Sequence, residues 1–187
     1  MSLKDAIKKK GYPFMVPNCS RDDLPELFAD LGFKTGAEIG VDRGEYLEKF
    51  LDVDLKMYAV DTWANKKQAF STVQKISEQN DNCIIVHKSS MEAIEDFPPR
   101  SLDFVYIDAD HRFPFVAQDL YYWYWRVKKG GAIAGHDYKD MRPGQEKRSI
   151  EVQSIVDAFL KSFHIKNYYV FGPPKDEILS YMFFKNW

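Results

Sequence analysis

Two short segments of the chain hold most of the side chains that could do chemistry. Asp108-Ala109-Asp110-His111 and Gly135-His136-Asp137-Tyr138 each follow an apolar run, Leu102–Ile107 and Ala132–Ala134. Such short runs read as buried strands. If the two strands are neighbours, their ends bring Asp108, Asp110, Asp137, His111 and His136 to one rim. Carboxylate oxygens suit Mg²⁺, Ca²⁺ or Mn²⁺, and imidazole widens the choice toward transition metals. A divalent ion on a substrate hydroxyl would lower its pKa, and His111 could take the proton. The same five residues also make an ordinary hydrogen-bonded polar rim without a metal.

Three further loops have the composition of ligand-binding turns. In Ala37-Glu38-Ile39-Gly40-Val41-Asp42-Arg43-Gly44-Glu45, Gly40 and Gly44 let a ligand approach the backbone, and the following helix offers free N–H groups. The G-x-x-x-G spacing is not the dinucleotide fingerprint G-x-G-x-x-G. Glu38 can organise this loop or meet a ligand ammonium; a tight turn with an exposed acid is the plainer alternative. Asp61 ends the next apolar run, about 20 residues past Gly40, where nucleoside-binding α/β folds place an acid on the ribose hydroxyls. A helix cap is its other reading. Thr62 and Trp63 follow, and the Trp63 ring could pack on an adenine. Ser90 or the Met91 backbone could meet the adenine edge, or the serine could cap the next helix.

These loops need a frame to hold them. Strands are expected at Ala37–Gly40, Met57–Val60, Cys83–Val86, Leu102–Ile107 and Ala132–Ala134. Helices are expected at Asp22–Leu31, Glu45–Leu51, Lys66–Gln79, Met91–Asp96, Phe115–Val127 and Ile150–Phe163. Alternating apolar strands and amphipathic helices imply a doubly wound, Rossmann-like parallel sheet with helices on both faces. Right-handed crossovers then bring the strand-to-helix loops to one edge, where such sheets bind ligands. Tyr168–Phe171 and Ile178–Phe184 leave no room for a crossover helix, so they read as an antiparallel hairpin closing a seven-stranded, mostly parallel sheet.

At 187 residues the chain fits one domain. Its expected parts are an N-terminal lid and helix region (1–34), a cofactor-binding core (35–137), and a substrate-side loop, last helix and terminal hairpin (138–187). A net charge of −2 argues against general attraction to nucleic acid. No apolar run is long enough to span a bilayer. The basic Met1–Lys10 stretch lacks an apolar core, so it does not read as a secretory signal. Cys19 and Cys83 stand apart without a motif, which points to a reduced cytoplasmic setting. Aromatic residues reach 16% and include Tyr121-Tyr122-Trp123-Tyr124-Trp125. A core stripe of Val116, Leu120, Trp123 and Val127 leaves the other four partly outside, as packing under neighbours, a homodimer contact or a carbohydrate platform. Arg142, Lys147 and Arg148 form a basic loop over the expected rim, and Gly11–Ser20 could cover the cofactor.

Taken together, Glu38-x-Gly40-x-x-x-Gly44, Asp61, Asp108-Ala-Asp110-His111 and Gly130-Gly131-Ala-Ile-Ala-Gly135-His136-Asp137 resemble a class I S-adenosylmethionine-dependent methyltransferase of the small-molecule O-methyltransferase-like subgroup. The resemblance implies that Glu38, Gly40, Val41 and Gly44 hold the methionine part of S-adenosylmethionine. It places Asp61, Thr62 and Trp63 at the nucleoside, Ser90 and Met91 along the adenine, and Asp108 beside the methyl donor. His111 falls where metal-dependent relatives carry a basic catalytic residue. Asp108, His136 and Asp137 are the implied metal set, with His136 standing where catechol-type enzymes have an acid. The implied reaction is methyl transfer to a small-molecule hydroxyl (sugar, phenol or natural product), with Mg²⁺ or another divalent ion as an assistant. A non-catalytic nucleoside-binding module, a metal-using hydrolase or hydroxylase-like protein, and a nicotinamide-dependent oxidoreductase are the alternatives. The missing G-x-G-x-x-G counts against the last.

Overall fold

The apolar runs assemble into one sheet because neither face of such strands is stable in water. The computed structural model describes residues 2–8, 14–141 and 149–186. Its strands are β1 (Phe14–Met15), β2 (Thr35–Ile39), β3 (Lys56–Asp61), β4 (Cys83–His87), β5 (Leu102–Ile107), β6 (Val127–Gly135), β7 (Asp140–Met141), β8 (Ile150–Glu151), β9 (Tyr168–Phe171) and β10 (Ser180–Phe184). Eight of them form the main sheet in the order β1-β9-β10-β6-β5-β2-β3-β4, and β7 and β8 form a separate ladder. Within the main sheet β10 pairs antiparallel with β6 and β9, while every other pairing is parallel.

The helices are α1 (Leu3–Ala6), α2 (Leu24–Asp30), α3 (Glu45–Leu51), α4 (Lys67–Gln79), α5 (Ser90–Ala93), α6 (Phe113–Arg126) and α7 (Val152–Ser162). Strand alternation divides the core in two. Phe104 and Tyr106 of β5 face Phe28 of α2, Leu47 and Phe50 of α3, and Val73 of α4. Val105 and Ile107 of the same strand face Ala93, Trp123 and Val156 of α5, α6 and α7. Among the described residues no helix is long and apolar enough to cross a membrane.

The doubly wound sheet with its terminal hairpin matches the expectation, with local corrections. The main sheet has an eighth strand, because Phe14 and Met15 pair with Tyr169 and Val170. Helix α6 stops at Arg126, one residue before the expected Val127, which instead opens β6. Ile150 and Glu151, expected in the last helix, pair with Met141 and Asp140. The stripe Val116, Leu120, Trp123 and Val127 is buried as expected, but Tyr124 is buried as well. It packs edge-on against Phe159 and Phe163. Tyr121 and Tyr122 remain exposed. The expected basic loop of Arg142, Lys147 and Arg148, and Gly11–Pro13 of the expected lid, lie outside the described residues.

Candidate active site

Strands β2 and β5 lie side by side, and the chain winds outward from them in opposite directions. Open α/β sheets bind ligands at this kind of switch point. A cavity of about 780 Å³ sits there, walled by Gly40, Asp61, Thr62, Ser90, Met91 and Asp108, among others.

Gly40 is required twice over. Its φ is +89°, and a Cβ would lie 2.3 Å from the Asp108 carbonyl oxygen and 2.6 Å from the Ala109 Cα. Both obstacles are backbone. Gly44 opens α3 with φ +84°, and a Cβ there would meet Ile76 at 2.8 Å. Val41 between them is buried in the core.

Asp61 ties the β2 and β3 loops together. Its Oδ2 accepts from the Asp42 backbone N–H at 3.0 Å, and its Oδ1 from the Trp63 N–H at 2.8 Å. Trp63 itself turns away from the cavity. Its Nε1 donates to the Asp42 carbonyl at 2.7 Å, and its ring packs on Phe70 and His87. Ser89 caps α5 and is reciprocated by Glu92, so capping falls to Ser89 and not to Ser90. Ser90 Oγ instead donates to Asp119 and accepts from Trp123 Nε1 at 2.8 Å. Asp119 is 3% exposed. Burial pushes its pKa up to about 6, with a smaller push from Asp110, against the lowering effect of Ser90.

Side chains from β5, β6 and two distant segments meet on the other side of the switch point. His111 Nε2 lies 3.2 Å from Asp108 Oδ1 and 3.4 Å from Asp137 Oδ2. Burial opposes the imidazolium, but the Asp108 hydrogen bond and the Asp137, Asp108 and Asp110 charges outweigh it and raise the His111 pKa. Asp137 sits at φ +50°, an uncommon conformation for a residue with a side chain. Burial would raise its pKa, but His136, His111 and Lys139 hold it down to about 2. His136 is 7% exposed; its Nδ1 is 3.4 Å from Asp137 and 3.8 Å from Asp108. Its Nε2 faces Asp176 at 3.5 Å. Arg21 Nη1 donates to Asp108 Oδ2 at 3.3 Å, and Arg21 Nε is 3.7 Å from Asp176.

Asp108, His111 and Asp137 each offer one ligand atom, all within 4.8 Å of one another. Two carboxylate oxygens and an imidazole suit a divalent ion. The compact trio therefore contains His111, whereas the sequence pointed to Asp108 and Asp137 with His136. Glu38 is 2% exposed, stands on the α2–α3 face of the sheet, and its Oε2 has no hydrogen-bond partner. Burial pushes its pKa well up, and the Asp108 charge adds to that.

Sequence reading missed Arg21, Asp119 and Asp176. Arg21 and Asp108 are 87 positions apart, and no spacing rule links them. For Asp119 a faint signal existed, an acid on the buried stripe of α6 beside Leu120.

The sheet order, the single reversed strand near one edge and the glycine loop at the switch point define the class I methyltransferase architecture. A methyltransferase-domain family model matches residues 37–138. The chain belongs to that family and is an S-adenosylmethionine-dependent methyltransferase. No curated protein matches the sequence. Among solved structures, a Klebsiella pneumoniae protein described as an O-methyltransferase is similar with a TM-score of 0.67 and 16% identity, over 92% of this chain and 83% of that one. A Bacillus cereus O-methyltransferase in complex with S-adenosylhomocysteine has a TM-score of 0.65 and 15% identity, over 90% of this chain and 83% of that one. An N-methyltransferase from Bradyrhizobium japonicum has a TM-score of 0.65 and 11% identity, over 89% of this chain and 95% of that one. The fold thus serves oxygen and nitrogen acceptors alike, and the choice falls to the site.

Proposed function

We propose that the protein transfers the methyl group of S-adenosylmethionine to a hydroxyl oxygen of a small molecule, with His111 as the base. The observation that carries this reading is the His111 imidazole, held by Asp108 and Asp137 at the wall of the cavity. The sulfonium is already a strong electrophile, so alignment matters more than covalent help. The acceptor oxygen forms the new C–O bond as the S–CH₃ bond breaks, its proton passes to neutral His111, and S-adenosylhomocysteine leaves. Glu38, Gly40 and Gly44 shape the methionine end, Asp61 and Thr62 the ribose, and Ser90 and Met91 the adenine.

The rim also suits a divalent ion, which Asp108 and Asp137 would hold and which would polarise the acceptor oxygen. A second cavity of about 900 Å³ shares Ser149 and Ile150 with the first and is walled by Phe113, Tyr121, Phe159 and Phe163, among others. That neighbour supports an acceptor with an aromatic or apolar body, such as a phenol, over a bare sugar.

Labelled-methyl transfer to a panel of phenols, sugars and amines tests the proposal, with Mg²⁺ or with chelator. Methylated phenol is the expected product, formed faster with Mg²⁺. Transfer to amines alone would sink the oxygen assignment. Binding of S-adenosylhomocysteine without transfer to any class would favour a non-catalytic module.

A further inference from the structure

Arg21 is an underused cation. It sits in the 3-10 turn Arg21–Asp23, before the matched family segment, and reaches across the sheet edge to Asp108. Its side chain is only 30% exposed. Five N–H donors sit on a guanidinium; one makes a 3.3 Å hydrogen bond to Asp108 Oδ2 and the buried Tyr106 hydroxyl interacts with the group as well, which leaves donors to spare. The contact with Asp176 is longer, at 3.7 Å. Packing and backbone also hold the residue in place. The guanidinium lies 5.1 Å from the centre of the Tyr46 ring, and the Tyr46 hydroxyl donates to the Arg21 carbonyl at 2.5 Å.

An acid with the complementary deficit lies close enough to feel its charge. Glu38 Oε2 is buried with no hydrogen-bond partner among the described residues. Arg21, Asp108 and Glu38 feel one another's charge. A guanidinium with spare donors next to a buried carboxyl with a spare acceptor is the complement of a zwitterion. Such a ligand presents a carboxylate and an ammonium on one carbon. Glu38 and Gly40 are two residues apart at the end of β2, and Gly40 lines the cavity. The amino-acid tail of a nucleoside bound over Asp61 and Gly40 would run toward this corner.

We infer that Arg21 is the anchor for the α-carboxylate of the methyl donor, with Glu38 and Asp108 facing its α-ammonium. This rests on the donor reading given above and adds a residue to it. Arg21 would turn spare N–H groups to the carboxylate and keep or release Asp108. A planar fork matches a carboxylate in a way an ammonium does not. Arg21 is thus a cofactor-binding residue contributed from outside the common core.

Calorimetric titration with two ligands separates the outcomes. S-adenosylhomocysteine carries the amino-acid tail; 5′-methylthioadenosine has the same nucleoside and no tail. Arg21→Met should weaken S-adenosylhomocysteine binding about 10- to 100-fold, the range for a lost charge-assisted hydrogen bond. It should leave 5′-methylthioadenosine binding within about twofold, which also shows that the variant is folded. Arg21→Lys should fall between. Equal losses for both ligands, or no loss for either, would overturn the assignment of Arg21. If the unaltered protein binds neither ligand, the donor reading itself fails, and this inference with it.

Discussion

In the loops after β2 and β3, polar groups are closed mostly by nearby backbone, with one ion pair between Lys66 and Asp42 at 2.6 Å. Asp61 holds two backbone N–H groups, and the Trp63 indole donates to the Asp42 carbonyl. Along the ends of β5 and β6 the contacts are between charged side chains, most of them at 3.2–3.8 Å. The buried His136 Nε2 there makes no hydrogen bond among the described residues and meets Asp176 only at 3.5 Å. The first half is built to keep one shape whatever it binds. The second half is a set of ionisable side chains that face one another at longer distances. Buried polar groups without partners cost free energy, and they cluster where a ligand or ion completes them.

The largest effect should come from the charged half. His111→Ala should lower turnover about 10²- to 10⁴-fold and change S-adenosylhomocysteine affinity by less than about threefold, measured by titration. Unchanged turnover removes His111 as the base. Because its pKa is raised, the rising limb of activity with pH should lie above the ordinary imidazole value of about 6.5. Asp137→Asn removes one of the carboxylates that hold the proton, so the limb should move to lower pH. An unmoved limb would mean that another group carries the profile.

Gly40→Ala tests the rigid half. The added methyl meets backbone at 2.3 Å and the residue keeps φ +89°. Left-handed strain costs about 1–3 kcal/mol, and overpacking costs a similar amount. A stability loss above about 2 kcal/mol in urea unfolding is expected, with loss of donor binding. A variant with unchanged stability would show that this turn is pliable, and the contrast between the halves would collapse.

Asp119→Asn probes a third part of the cavity wall, on α6, through pH. The folded-state pKa of Asp119 is raised to about 6 from an ordinary 3.8. Its contribution to stability is therefore complete below pH 3.8 and is lost as pH rises through 6. The difference between 3.8 and about 6 corresponds to ~3 kcal/mol as an upper bound. Asparagine can still pair with Ser90 but does not ionise. The variant should lose less stability than the parent between pH 4 and 7, read from thermal melts at each pH. Parallel curves would show that Asp119 is not the titrating group.

The frame was legible because its information is local. Apolar runs, Gly40 and the Asp61 strand end lie within segments whose periodicity and turn chemistry are visible in the chain. Strand β1 was not, since Phe14 and Met15 show a strand only once Tyr169 and Val170 lie beside them. Trp63 was read as able to pack on an adenine, and in the structure its indole donates to the Asp42 carbonyl and its ring packs on Phe70. Tyr124 was placed partly outside, and α7 covers it with Phe159 and Phe163. In the charged half, the motif residues Asp108, His111, His136 and Asp137 were visible, but the way they pair was not. Arg21 and Asp176 enter from segments far off in sequence, and only the folded topology sets them there.

The smallest predicted effect separates holding a loop from holding a ligand. In Asp61→Asn one oxygen still accepts a backbone N–H, while the new amide NH₂ faces the other donor and cannot bond it. One charge-assisted bond is lost to the loop, and a ribose hydroxyl would lose a carboxylate acceptor. Affinity for both S-adenosylhomocysteine and 5′-methylthioadenosine should fall about tenfold, ~1.4 kcal/mol. Equal loss on the two ligands is what sets Asp61 apart from Arg21, because the nucleoside is common to both. Turnover at saturating donor should change little. Should affinity hold while stability drops, Asp61 serves the Asp42 and Trp63 backbone alone, and the ribose must find its acceptor elsewhere along the cavity wall.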